Sequence, residues 1–181
     1  MFRWLTRPPR ADTIRALYGA IVAQARAPAF YAGYGVADTV AGRFEMILLH
    51  LALFIRRLRR EPEPIRGLGQ EVFDLFCLDM DHSLREMGIG DLGVPKQMRR
   101  VAEAFYGRAA AYDDSIDRHG EEALAASLAR NVFAGDAPAA CARRLAHYVG
   151  VAIDHLDRQA GASFARAVVT FPDPGTISAS A

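Results

Sequence analysis

Between Gly69 and Met87 the chain sets Phe73, Phe76, Cys77, Met80, Leu84 and Met87 three or four residues apart. That spacing puts side chains on one stripe of a helix, and no stretch of the chain alternates in the two-residue rhythm of a strand. Proline and glycine cut the remainder into similar lengths. Asp12 is suited to cap a first helix running to about Ala27, where Pro28 stops it. An aromatic, glycine-containing link from Phe30 to Gly35 follows, and Asp38 is suited to cap a second helix that continues to Arg60 before Pro62 and Pro64. Pro95 fits the first turn of a fourth helix through Val101, Phe105 and Tyr112, Glu121 to Ala134 makes a fifth, and Pro138 opens a sixth striped by Cys141, Leu145, Tyr148, Val149, Ala152 and Leu156. The pattern predicts an all-α fold, a single compact bundle of about six helices. A basic segment over residues 1–10 precedes a helical domain over 11–170. A flexible tail over 171–181 follows, because PDPGTISASA has too little apolar content to pack.

Length and charge bound the function. A chain of 181 residues supports one domain with a substantial core. A formal net charge of +1 argues against a whole-domain field for nucleic acid, and no DNA partner is expected. Cys77 and Cys141 have neither metal-finger nor CxxC spacing, as in a reduced, cytosolic chain. The opening MFRWLTRPPR lacks the apolar region of a secretory signal. The longest apolar run, Phe44 to Ile55, is broken by Glu45 and His50 and reaches about 18 Å at ~1.5 Å per residue, short of a ~30 Å hydrocarbon core.

Several local patterns carry candidate chemistry. Gly88, Gly90 and Gly93 spell G-x-G-x-x-G, which cradles a pyrophosphate only where a strand delivers the chain to it. Here an amphipathic helix precedes the glycines, so Gly88 is expected past a helix C-terminus in a helix–helix connection. Asp79, His82 and Glu86 share one helical face and offer a carboxylate–imidazole–carboxylate set, but no second copy supplies the matching ligands of a di-metal bundle. Asp113, Asp114 and Asp117 read as a solvated turn, and Ser83 and Ser127 lack a nucleophile elbow. In the second helix, Arg43, His50 and Arg57 form a thin polar stripe with apolar residues on both sides. Such a helix is either central and buried or contributes a hydrophobic groove for an apolar client. The run Arg56, Arg57, Arg59, Arg60 suits phosphate, anionic lipid or RNA contact, or a solvated helix end.

The segments DTVAGRFEMILLHLALFIRRLR, DHSLREMGIGDLGVPKQMRRVAEAFYGRAAAYD and LARNVFAGD through CARRLAHYVGVAIDHLD resemble the ubiquinol-cytochrome c chaperone family in its α-proteobacterial form. The likeness covers roughly Ala11 to Gln159, with LREMGIGDLGVPK and AFYGR as its most specific motifs. It implies a helical, non-enzymatic assembly factor for the cytochrome bc1 complex that binds newly made cytochrome b at the cytoplasmic face of an inner membrane. The mitochondrial members work with a small accessory protein and associate with the ribosome. Their presequence and membrane-associating region are not expected here. The family motif and the wheel positions together imply client contact through Leu84, Arg85, Met87, Ile89, Asp91, Lys96 and Arg99 around the interhelical turn, with Arg43 and His50 from the second helix. No cofactor and no metal are implied. The alternative is a metal- or haem-dependent helical enzyme using Asp79, His82 and Glu86.

Overall fold

Residues 9–136 and 138–177 are described by the computed structural model of the chain. Eight α-helices account for most of them: α1 Arg10–Ala25, α2 Pro28–Gly33, α3 Val40–Leu58, α4 Leu68–Glu86, α5 Val94–Asp114, α6 Gly120–Asn131, α7 Ala139–Asp157 and α8 Gly161–Phe164. A wide turn of π geometry, Ser115–His119, joins α5 to α6, and no strand occurs among the described residues. The six long helices are those the periodicity predicts. The two short ones are new. Pro28 does not merely end α1: it takes the first position of α2, where a missing N–H costs nothing, and so places Phe30 fully in the core.

Caps differ from expectation in ways the chemistry explains. The first turn of α3 is capped by Thr39, whose hydroxyl accepts from the Gly42 N–H at 3.1 Å. Asp38 instead receives the Arg43 guanidinium at 2.7 Å. α1 opens at Arg10, ahead of Asp12, and Arg10 donates to Glu71 of α4 at 2.7 Å, tying the two helices together. Residues 1–8 of the expected basic segment lie outside the described residues.

α3 is the axis of the bundle. Every residue from Met46 to Phe54 is buried, and the helix packs against α1, α4, α5 and α7. A helix apolar all round is stable only when surrounded, and burying each of its Leu, Ile and Phe side chains contributes roughly 1.5–3 kcal/mol. The hydrophobic groove that its two apolar sides offered is therefore absent. Both sides are core.

The arginine run meets two of the three clustered aspartates. Arg56 bridges Asp113 at 2.9 Å and Asp117 at 2.5 Å, Arg59 pairs with Asp113, and Arg60 reaches Asp157 at 2.7 Å. Arg57 is nearly buried; it donates to the carbonyls of Leu156 at 3.0 Å and Gln159 at 2.8 Å, pairs with Glu61 at 2.7 Å, and lies 5.4 Å from the Phe164 ring centre. It satisfies the open C-terminal carbonyls of α7 and meets that helix's negative end. The run is a clamp between α3, α5 and α7, paired within the fold where the sequence left open either a phosphate- or lipid-binding surface or a solvated helix end.

The tail also departs from expectation. Pro174 is buried, the Tyr34 hydroxyl donates to its carbonyl at 2.8 Å, and Gln24 donates to the Pro172 carbonyl at 2.8 Å. Residues 168–177 form a packed strap held through the backbone, which an apolar side-chain count does not register. Residues 178–181 of the expected tail lie outside the described residues.

Candidate functional site

α4 and α5 form a hairpin whose far end stands clear of the core. α4 runs against α3 from Gly69, beside Ile55 and Leu58, to Phe76, whose ring lies 6.4 Å from that of Phe44. Ten further residues of α4 remain, roughly 15 Å of helix. Asp79 is the last of them tied across to α1, accepting from the Tyr18 hydroxyl at 2.7 Å; burial and that carboxylate push the Tyr18 phenol well above its ordinary range. From Asp81 to Gly93 no residue is buried.

The turn itself is closed by backbone. The Gly88 N–H reaches the Arg85 carbonyl at 2.9 Å and the Ile89 N–H reaches the Leu84 carbonyl at 3.1 Å, the two bonds of a Schellman C-cap. Gly88 has φ +83°, the left-handed conformation such a cap requires at this position. At Gly93 a Cβ would lie 2.9 Å from the Ile89 Cγ2, so the chain closes on its own preceding residue before α5 begins. With a helix on each side and no strand, the three glycines form a helix–helix turn and not a nucleotide loop.

Seven of the nine expected client-contact residues gather here. Leu84 and Ile89 are half-buried; Arg85, Met87, Asp91, Lys96 and Arg99 are exposed. Arg85 bridges Asp81 at 2.7 Å and Asp91, and these carboxylates hold its guanidinium above the ordinary arginine range. Arg99 pairs with Glu103 at 3.0 Å, while Lys96 makes no ion pair among the described residues. Met87 is 62% exposed and Leu92 is 99% exposed. Leu92 is not among the residues the sequence singles out; Leu78 and Tyr106, half exposed, lie farther from the turn along α4 and α5, Tyr106 with its ring 5.5 Å from that of Phe73. The signal was available: Leu92 sits between glycines, off the stripe of either helix.

The other two expected contacts lie elsewhere. Arg43 is at the start of α3, held by Asp38 and 6.0 Å from the Tyr31 ring centre. His50 is completely buried and cannot touch a client. Its Nδ1–H donates to the Met46 carbonyl at 2.8 Å and its Nε2 accepts from the Tyr148 hydroxyl at 2.8 Å, which fixes a neutral tautomer. Desolvation pushes its pKa down to about 4. His50 is a satisfied core histidine.

The alternative metal site is not assembled. Asp79 is engaged by Tyr18, His82 and Glu86 are exposed, and among the described residues no group of three His, Cys, Asp or Glu side chains is placed to hold an ion. Nor is any helix of the described residues long and apolar enough to cross a membrane. What the hairpin end offers is contact: apolar side chains in water within a ring of charges of both signs.

Comparison with known proteins finds likenesses of sequence and of fold. The profile of the family described as ubiquinol-cytochrome C chaperone matches residues 32–171. A solved structure, that of the Cbp3 homolog from Brucella abortus, superposes with a TM-score of 0.85 at 38% sequence identity, covering 93% of each chain. No curated protein matches.

Proposed function

The chain belongs to the ubiquinol-cytochrome c chaperone family, and from that premise we propose that it is a non-enzymatic assembly chaperone holding newly made cytochrome b until the bc1 complex forms. The observation that carries the reading is the end of the α4–α5 hairpin, where Met87 and Leu92 stand in water with no core to serve. An unassembled membrane subunit exposes apolar faces interrupted by polar groups. A knob of apolar side chains ringed by Arg85, Asp91, Lys96 and Arg99 can cover such a face without committing to a dry interface. Binding of the unassembled form alone favours it by mass action, and no chemistry is needed.

The contact set proposed is Leu84, Arg85, Met87, Ile89, Leu92, Lys96 and Arg99, with Asp91 orienting Arg85. With the arginine clamp of α3 satisfied internally, nothing here supports direct contact with lipid or ribosomal RNA through that run. Affinity-tagged chain purified from respiring cells is expected to bring down cytochrome b, and deletion is expected to reduce assembled bc1 complex. Normal cytochrome b levels in the deletion strain would refute the reading.

A further inference from the structure

Residues 168–177 cross α1, α2, α3 and α7 as an extended strap with no regular secondary structure of its own beyond a turn at its end. Three of its carbonyls, two residues apart, are each met by a side chain from the body. Gln159 donates to Thr170 O at 2.8 Å, Gln24 to Pro172 O at 2.8 Å, and the Tyr34 hydroxyl to Pro174 O at 2.8 Å. Gln159 also accepts from the Thr170 N–H at 2.9 Å. Alternate carbonyls of an extended chain point to one side, so a row of donors at this interval reads backbone and not side-chain sequence. Prolines at 172 and 174 suit it, since they have no N–H to leave unpaired and hold the chain extended. Phe171 lays its ring edge-on to His50 at 5.4 Å.

The donors are held from behind, independently of the strap. Gln24 also donates to the Tyr148 hydroxyl at 3.0 Å, Tyr148 donates to His50, and His50 donates to Met46 O. Tyr34 is wedged between Phe30, at 5.3 Å between ring centres, and the Arg144 guanidinium, 4.4 Å above its ring; Arg144 is anchored on Gly33 O at 2.7 Å. The strap is held mainly through side chains: Phe171 and Ile177 pack against the core, and only at its start does its backbone meet that of a helix, where the Val168 N–H reaches the Ser163 carbonyl of α8 at 3.0 Å. Only Val169 and Pro174 of its residues are buried, and among the described residues no backbone–backbone hydrogen bond ties 169–177 to a helix. A rigid wall of donors facing a segment with no backbone hydrogen bonds to the helices over 169–177 is the arrangement in which local opening precedes global unfolding.

We propose that this wall is a peptide-recognition groove, filled in cis by the chain's own Phe-Pro-Asp-Pro, and that an extended aromatic-Pro-x-Pro segment of a partner protein competes for it. The groove does not depend on which client the hairpin holds. When the strap leaves, Gln24, Tyr34 and Gln159 present three donors along an aromatic floor, and a partner segment regains every bond the strap gave up.

Two measurements test it on the full chain. Native-state hydrogen exchange of the unmodified protein is expected to show the Thr170 and Thr176 amides exchanging at least ~100-fold faster than those of α3, through local opening. Exchange of both at the α3 rate would overturn the proposal. The second probe is a labelled peptide VVTFPDPGTI. With Phe171→Ala and Pro174→Ala together the strap competes less, and the peptide should bind at least ~10-fold more tightly than to the unmodified chain, the gain set by the fraction of open groove. Adding Tyr34→Phe should reverse most of that gain. A double variant that keeps its helical circular dichroism and shows no saturable peptide binding overturns the groove, and a concentration-dependent dimer of the unmodified chain that exchanges straps overturns the cis occupancy.

Discussion

His50 makes acid stability a direct readout of the core. Its folded pKa is about 4 against an ordinary 6.5, so between those values the unfolded chain binds a proton that the folded chain refuses. Stability is therefore full above about pH 6.5, falls as pH is lowered through that window, and stops falling on this account below about pH 4. At 1.36 kcal/mol per unit, a shift of about two and a half units is worth about 3 kcal/mol at the acid end, a large share of a typical domain's stability. Urea unfolding of the unmodified chain and of His50→Gln, at intervals from pH 7.5 to 4, isolates the effect. Glutamine keeps one donor and one acceptor for Met46 O and the Tyr148 hydroxyl and does not titrate. Asp38 and Asp117, whose pKa values are lowered by hydrogen bonds from Arg43 and Arg56, also lose stabilisation in acid, but equally in both proteins. The two stability curves should converge by about 3 kcal/mol as pH falls to about 4. Curves that stay parallel to within about 0.5 kcal/mol would refute the buried neutral imidazole, and with it the network behind Gln24.

Arg57→Ala strips the α7 carbonyls and Glu61 of a nearly buried partner, and should cost about 3 kcal/mol, or about 6–12 °C in a thermal melt; a loss below about 2 °C contradicts the clamp. Gly35→Ala is penalised twice, by φ +74° and by a Cβ 2.8 Å from the Cys141 sulfur. Adding Cys141→Ala should relieve the contact and leave about 1–2 kcal/mol from the backbone, so a double variant as unstable as the single one argues against the clash. Leu92→Asp with Met87→Ser should leave urea stability within about 0.5 kcal/mol and cut recovery of cytochrome b at least ~10-fold, while unchanged recovery removes the hairpin end from the contact set. Gly88→Ala should cost about 1 kcal/mol through its positive φ, read as a shift of the urea midpoint, and no shift would mean that the turn has no left-handed residue.

The periodicity of the chain was enough for the helices because each long one carries its own stripe, and a stripe is local information. What surrounds a stripe is not. α3 has apolar residues on both sides of its polar line, and that pattern fits a groove as well as an axis; only the positions of α1, α4, α5 and α7 choose the axis. Arg56 and Asp113 lie 57 residues apart, so neither the basic run nor the acidic cluster announces that Arg56 and Arg59 will pair with Asp113 and Asp117. The strap was missed for a different reason. Its hold is on carbonyl oxygens, and every residue has one, so nothing in the side-chain pattern of FPDPG marks it as anchored.

The hairpin end poses the converse problem, because there the sequence is unusual and the fold does not use it. A helix–helix turn closed by a Schellman cap needs the left-handed Gly88 and the close approach at Gly93, and both are accounted for by backbone geometry. It has no need of a leucine in full solvent at 92 or a methionine mostly so at 87; a serine or aspartate there would be as compatible with the turn and kinder to solubility. The charged residues around them are likewise spent locally, Arg85 on Asp81 and Asp91, Arg99 on Glu103, and hold nothing to the core. Folding explains the glycines and not the apolar tip, and the proposed client contact rests on that difference.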